Sequence, residues 1–194
     1  MLNVVGWPIV PILSVTRDEQ GLVGRTNAVL HNACYKLQRV PVYVHSSCFG
    51  YAQVRTGAFQ EAKKSLPPGT KTVRGFMIDD DILLMDMDAV VAAMQIADRN
   101  NWNIVAGYRT KTGHICVCHA DARMFTAEEF SKLKPYDTVP LAGLGFYYGD
   151  LPLDYEFHAD GKPFMGEDLN FFYDTKIEPR VAPIPLKHLK VIGI

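Results

Sequence analysis

An excess of charge of either sign is what this chain lacks: 20 Lys and Arg face 21 Asp and Glu, a formal net charge of −1. A near-neutral chain has no electrostatic footprint for a nucleic-acid backbone or anionic lipid, so phosphate recognition must be local and no nucleic-acid partner is expected. Long apolar runs are missing too. Nothing approaches the ~20 consecutive apolar residues of a transmembrane helix, so no transmembrane segment is expected. Residues 1–14 are apolar, but they lack a basic n-region and carry Pro8 and Pro11. They read as buried strand rather than signal peptide, and the default compartment is cytoplasmic. Cysteine is scarce: Cys34, Cys48, Cys116 and Cys118 fall at no spacing of a disulfide framework. A Cys34–Cys48 bridge stays open for a hyperthermophilic source. His114, Cys116 and Cys118 would share a strand face with His119 beside them. That leaves a soft-metal site open next to the plainer reading of small buried hydrophobes.

What is present is an ordinary globular composition, 48% hydrophobic and 21% charged over 194 residues, enough for one domain with a sizeable core. The apolar rhythm alternates between two periods. Residues 3–16 and 40–44 are strand-like. Leu22, Val29, Ala33 and Leu37 recur at helical spacing, as do Val54, Ala58, Ala62 and Leu66 before the stop at Pro67-Pro68-Gly69. Residues 73–78 form a third buried strand, Met87, Val90, Val91, Met94 and Ala97 outline a helix, and 104–108 is a further strand. This β-α-β-α-β-α-β order predicts an α/β fold with a mainly parallel central sheet and helices on both faces. The second half is less regular. It has strands at 114–119 and 141–148, a capping box of Thr126 with Glu129, a loop-like stretch at 151–162 and a helix over 166–175.

The acidic triplet Asp79-Asp80-Asp81 ends the third strand, and ligands in open α/β sheets bind beyond the carboxyl ends of strands. Carboxylates this close repel unless a cation neutralises them, and hard oxygen ligands suit Mg²⁺ or Mn²⁺. The plainer alternative is a solvated loop whose Asp caps the next helix. Glu167 and Asp168 lie in the first turn of the last helix, where the macrodipole stabilises negative charge. The same position would present either as a general base. Asp150, after Gly149, is a second base candidate or simply a turn residue.

Phe76-Met77-Ile78-Asp79-Asp80-Asp81-Ile82-Leu83-Leu84 resembles the apolar strand and D-x-D motif of GT-A fold glycosyltransferases. Gly166-Glu167-Asp168 is similar to the G-E-D segment of many of them. The resemblance spans nearly the whole chain in element order and brings to mind compact enzymes encoded by viruses of archaea, which would place the protein in a host cytoplasm. It implies a single GT-A-like domain over 1–194, with a nucleotide-binding half at about 1–110 and an acceptor and catalytic half at about 111–194. It further implies transfer of a sugar from a nucleotide-sugar donor to an acceptor hydroxyl on a glycan or protein, with Mn²⁺ or Mg²⁺ as cofactor. Asp79 then takes the ribose and the edge of the metal site, Asp80 supports it, and Asp81 with His188 coordinates the metal. Pro11, Ser14, Thr16 and Arg17 line the nucleotide pocket, and Arg74 approaches the donor. Asp168, Glu167 or Asp150 acts at the acceptor. Two other readings remain open on the residues. One is a nucleotidyltransferase, for which Gly21-Leu22-Val23-Gly24-Arg25 is a faint phosphate loop; the other is a binding module without chemistry.

Overall fold

The computed structural model describes residues 6–15, 24–46, 50–110, 112–161, 163–164 and 166–189. A six-stranded sheet organises the chain. Its first half follows the periodicities: β1 (Ile9–Val15), α1 (Gly24–Lys36), β2 (Val40–Ser46), α2 (Tyr51–Lys64), β3 (Thr72–Asp79), a short β4 (Ile82–Leu84), α3 (Met87–Asn100) and β5 (Asn103–Val105). There follow β6 (Ile115–Cys118), β7 (Met124–Phe125), α4 (Ala127–Ser131), β8 (Leu141–Ala142), β9 (Phe146–Pro152), α5 (Glu167–Thr175), β10 (Pro179–Val181) and β11 (Leu186–His188).

The sheet order is β10-β5-β9-β3-β1-β2. Strands β2, β1, β3, β5 and β10 run the same way, and β9 alone is antiparallel, inserted between β3 and β5. The mainly parallel expectation holds, with this one exception. Two apolar layers cover the faces. Leu30 and Ala33 of α1 with Val90, Met94 and Ala97 of α3 pack on Val10, Ile12, Phe76 and Ile78. On the other face, Val54, Ala58, Phe59 and Ala62 of α2 with Phe171 and Phe172 of α5 pack on Leu13, Met77 and Tyr147.

Local chemistry sets the element ends. Thr126 and Glu129 form the expected reciprocal capping box on α4. Helix α3 is capped by Asp86, whose side chain accepts the N–H groups of Asp88 and Ala89, so capping does not occupy the acidic triplet. The single strand expected at 141–148 is split into β8 and β9 by Gly143–Gly145. A Cβ on Gly145 would stand 2.6 Å from the Tyr108 ring, so the chain bends there around a side chain it could not otherwise admit. The stretch from 151, expected as loop, begins with the last two residues of β9.

Two three-residue strands fall in the proline-bearing tail. β10 extends the sheet beside β5, and β11 pairs antiparallel with β4, aligning His188 with Ile82. Among the described residues no helix is long and apolar enough to cross a membrane.

Candidate functional site

Alternation along β3 decides where its terminal carboxylate points. Asp79 shares the face of Met77, which packs toward α2 and α5, while Phe76 and Ile78 face α1 and α3. Asp79 therefore meets what those two helices offer. On α2, Arg55 and Phe59 are four residues apart and so on one face; on α5, Glu167 and Phe171 stand in the same relation. The two phenylalanines pack edge to face at 6.5 Å, and Phe157 stacks on Phe171 at 5.4 Å. This aromatic layer holds the polar layer above it in register.

In that polar layer one guanidinium faces three carboxylates. Arg55 Nη2 lies 3.0 Å from Asp79 Oδ1 and 3.4 Å from Asp168 Oδ1, and Nε lies 3.4 Å from Glu167 Oε1. The arginine side chain is 2% exposed. Burial works against its charge, but Asp79, Asp168 and Glu167 outweigh it and hold its pKa above the ordinary value. One positive charge cannot neutralise three negative ones, and the acids show it. Burial pushes Asp79 up to about 6, with Arg55 opposing and Asp168 and Asp81 adding. Burial and then the neighbouring Asp168 push Glu167 up to about 7. Asp168 is oriented through Oδ2, which accepts the Leu144 N–H at 3.0 Å. Its Oδ1 and the Arg55 Nη1 are buried and make no hydrogen bond among the described residues.

The triplet divides. Asp79 closes β3, and Asp80 and Asp81 form the turn into β4. Pairing of β11 with β4 returns the chain to this turn. The Leu189 N–H donates to the Asp81 carbonyl at 2.8 Å, and His188 Nε2 stands 3.5 Å from Asp81 Oδ2. Both side chains are largely buried. Tyr108 links this pair to the arginine cluster. Its ring stacks on His188 at 5.3 Å with a 2° interplanar angle, and its hydroxyl lies beside the Cys116 thiol, which burial pushes up to about 12. A Cβ on Gly143 would lie 2.0 Å from Cys116 Sγ and 3.4 Å from Asp168 Oδ2. Asp79, Asp81, Glu167, Asp168 and His188, all singled out in the sequence, thus gather at the C-terminal end of the parallel strands. Arg55 and Tyr108, which the sequence reading missed, join them, as does Cys116, considered there only as a soft-metal ligand.

Other expected residues sit elsewhere. Asp150 pairs in register with Arg74, five positions before Asp79 along β3. That is about 16 Å down the strand at the usual rise. Its carboxylate is bound by Arg74 at 3.1 Å, and Arg74 is held by Asp98 at 2.8 Å and by main-chain carbonyls. Both belong to a charged network toward the other end of β3, apart from the residues gathered around Asp79. Pro11 is also displaced: it lies in mid-strand, its ring and carbonyl packed where Gly75 leaves room. Ser14 is one step from the end of β1, buried, with a hydroxyl that has no hydrogen bond among the described residues.

Thr16, Arg17, Cys48 and most of the Gly21–Arg25 stretch lie outside the described residues, and with them the Cys34–Cys48 bridge. The soft-metal alternative fails on geometry. A register shift between Ile115 and Cys118 breaks the alternation, Cys116 turns to Tyr108, and Cys118 joins the core under α2 and α5. His114 sits beside Thr112, and His119 stacks on Phe125. Among the described residues no group of three or more His, Cys, Asp or Glu is arranged to hold a metal unaided.

No protein-family model matches this chain, and no curated protein does. Among solved structures, A197 from STIV, an archaeal virus protein, is similar, with a TM-score of 0.54 and 18% identity over 93% of this chain and 83% of that one. At that identity the likeness speaks for the fold alone: a mixed α/β domain whose mainly parallel central sheet is flanked by helices.

Proposed function

We propose that this chain is a metal-dependent glycosyltransferase of GT-A type that moves a sugar from a nucleotide-sugar donor to an acceptor hydroxyl. The observation that carries the reading is the approach of Asp81 and His188 to 3.5 Å beside the Arg55 carboxylate cluster, at the end of the sheet where α/β domains bind ligands. A carboxylate oxygen suits Mn²⁺ or Mg²⁺, and the imidazole nitrogen beside it favours the softer Mn²⁺ of the two; such an ion takes few protein ligands and fills its shell with water and substrate phosphates. A protein contribution of only two side chains fits that habit. When bound, such an ion supplies charge neutralisation for a departing diphosphate.

The remaining roles fall to residues of the chain. Asp79 is held at Oδ1 by Arg55 and offers Oδ2 to the donor ribose. Asp168, fixed by the Leu144 N–H, takes the proton of the acceptor hydroxyl as that oxygen bonds to the anomeric carbon and the bond to the diphosphate breaks. Glu167, poised near neutral pH, sits where it accepts or returns a proton beside Asp168.

Calorimetric titration of UDP-, GDP- and dTDP-sugars, with and without Mn²⁺, on wild type and Asp81→Asn tests the reading. Tight binding of one donor that needs both Mn²⁺ and Asp81 supports it. Absence of metal-linked binding for all of them removes it.

A further inference from the structure

We infer that Tyr108 is a positioning residue that fixes the plane of the His188 imidazole and couples it to the loop that orients Asp168. The inference rests on the proposed metal role of His188 and extends it to a residue with no ligand contact of its own.

Three contacts converge on this one side chain. The ring lies parallel to His188 at 5.3 Å, so it restricts rotation of the imidazole about χ2. The hydroxyl lies beside the Cys116 thiol at the far end of the ring, both crowding Gly143, where a Cβ would meet them at 3.3 and 2.0 Å. The ring edge fills the space above Gly145, where a Cβ would come within 2.6 Å of Cε1 and the hydroxyl oxygen. Gly145 belongs to the same three-residue bend as Leu144, whose N–H holds Asp168 at 3.0 Å. One buried ring therefore touches both His188 and the loop that aims Asp168. Residues that orient a ligating histidine tune metal affinity without touching the metal, typically by 10- to 100-fold.

The test uses Mn²⁺ alone as probe, titrated calorimetrically into the full chain. Tyr108→Phe keeps the stack and is expected to bind within about twofold of wild type. Tyr108→Leu removes the stack and is expected to weaken binding by about tenfold. Gly145→Ala keeps the tyrosine but pushes on its ring; it is expected to weaken binding in the same direction and serves if Tyr108→Leu does not fold. The reading that separates positioning from general loosening is a double-mutant cycle. In a His188→Ala background, Tyr108→Leu should cause no further loss of Mn²⁺ affinity. Equal Mn²⁺ affinity for wild type, Tyr108→Leu and Gly145→Ala, with His188→Ala impaired, overturns the positioning role and leaves the metal reading standing. Failure of wild type to bind Mn²⁺ either alone or with UDP, or full binding by His188→Ala, overturns both.

Discussion

Arg55 and Asp79 meet at 3.0 Å across the top of β3, with the arginine side chain almost wholly withdrawn from solvent. A buried guanidinium is tolerated only where carboxylates surround it, and here it is outnumbered by them. The imbalance makes the site responsive to charge, and several outcomes can be read from it.

Arg55→Met should leave Asp79, Glu167 and Asp168 facing one another without a counter-charge. Removing one partner from a buried ionic cluster typically costs about 3–5 kcal/mol. Urea unfolding at pH 8 should show a loss of that size, and part of it should return at pH 5 as the acids take up protons.

Stability should also depend on pH in a definite sense. Asp79 and Glu167 have folded-state pKa values raised to about 6 and about 7, above those of the unfolded chain. The folded state therefore binds the extra protons, and the advantage, full below about pH 4, is lost as pH rises through 6 to 7. Glu167→Gln should flatten the upper part of this profile and stabilise the protein by about 1–2 kcal/mol at pH 8. Urea midpoints measured from pH 5 to 8.5 check it; an unchanged slope counts against the assignment.

The acceptor side separates two aspartates that look equivalent in the sequence. Asp168→Asn should lower turnover by roughly 10²- to 10⁴-fold while sparing donor binding. Asp150→Asn, at the opposite end of β3, should leave turnover unaltered and cost under about 1 kcal/mol, since its partner Arg74 keeps Asp98. Steady-state kinetics beside calorimetric donor binding distinguishes them.

Asn170 secures the segment preceding α5. Buried completely, it accepts the Phe164 N–H through Oδ1 and donates through Nδ2 to the carbonyls of His158 and Phe164, each at 3.0 Å. Asn170→Leu strands those backbone groups and should cost about 1–3 kcal/mol. Amide exchange should accelerate at Phe164 more than in β1 or β3.

The first half of the fold was legible because each buried strand and amphipathic helix carries its own period, and Asp79 was legible because it closes such a strand. Arg55 escaped because a lone arginine in a helix reads as a solvated flank. Its signal was positional: it stands three and four residues before Ala58 and Phe59, on the apolar stripe. Tyr108 was taken as the end of a strand, whereas β5 stops at Val105 and frees the tyrosine to turn toward His188. β10 and β11 are three residues each, too short for any period to show, and exist because β5 and β4 offer them an edge. The misplacement of Asp150 has the simplest cause: spacing does not reveal that β9 runs backwards.

That reversed strand also governs the order in which the molecule can be assembled. β3 and β5 are separated in the sheet by residues 146–152, so the edges that emerge first have no neighbour between them until the chain has been made well past α4. A fragment ending near residue 110 would leave β3 with one unpaired edge and β5 with no neighbouring strand on either side, the kind of surface that invites association with other chains. Native pairing must wait for a distant segment, and such long-range closure is slow. The sheet is completed by late-synthesised strands, β9 and then β10, and the cluster at its upper end comes into being only once β9 has filled the gap and α5 has brought in Glu167 and Asp168.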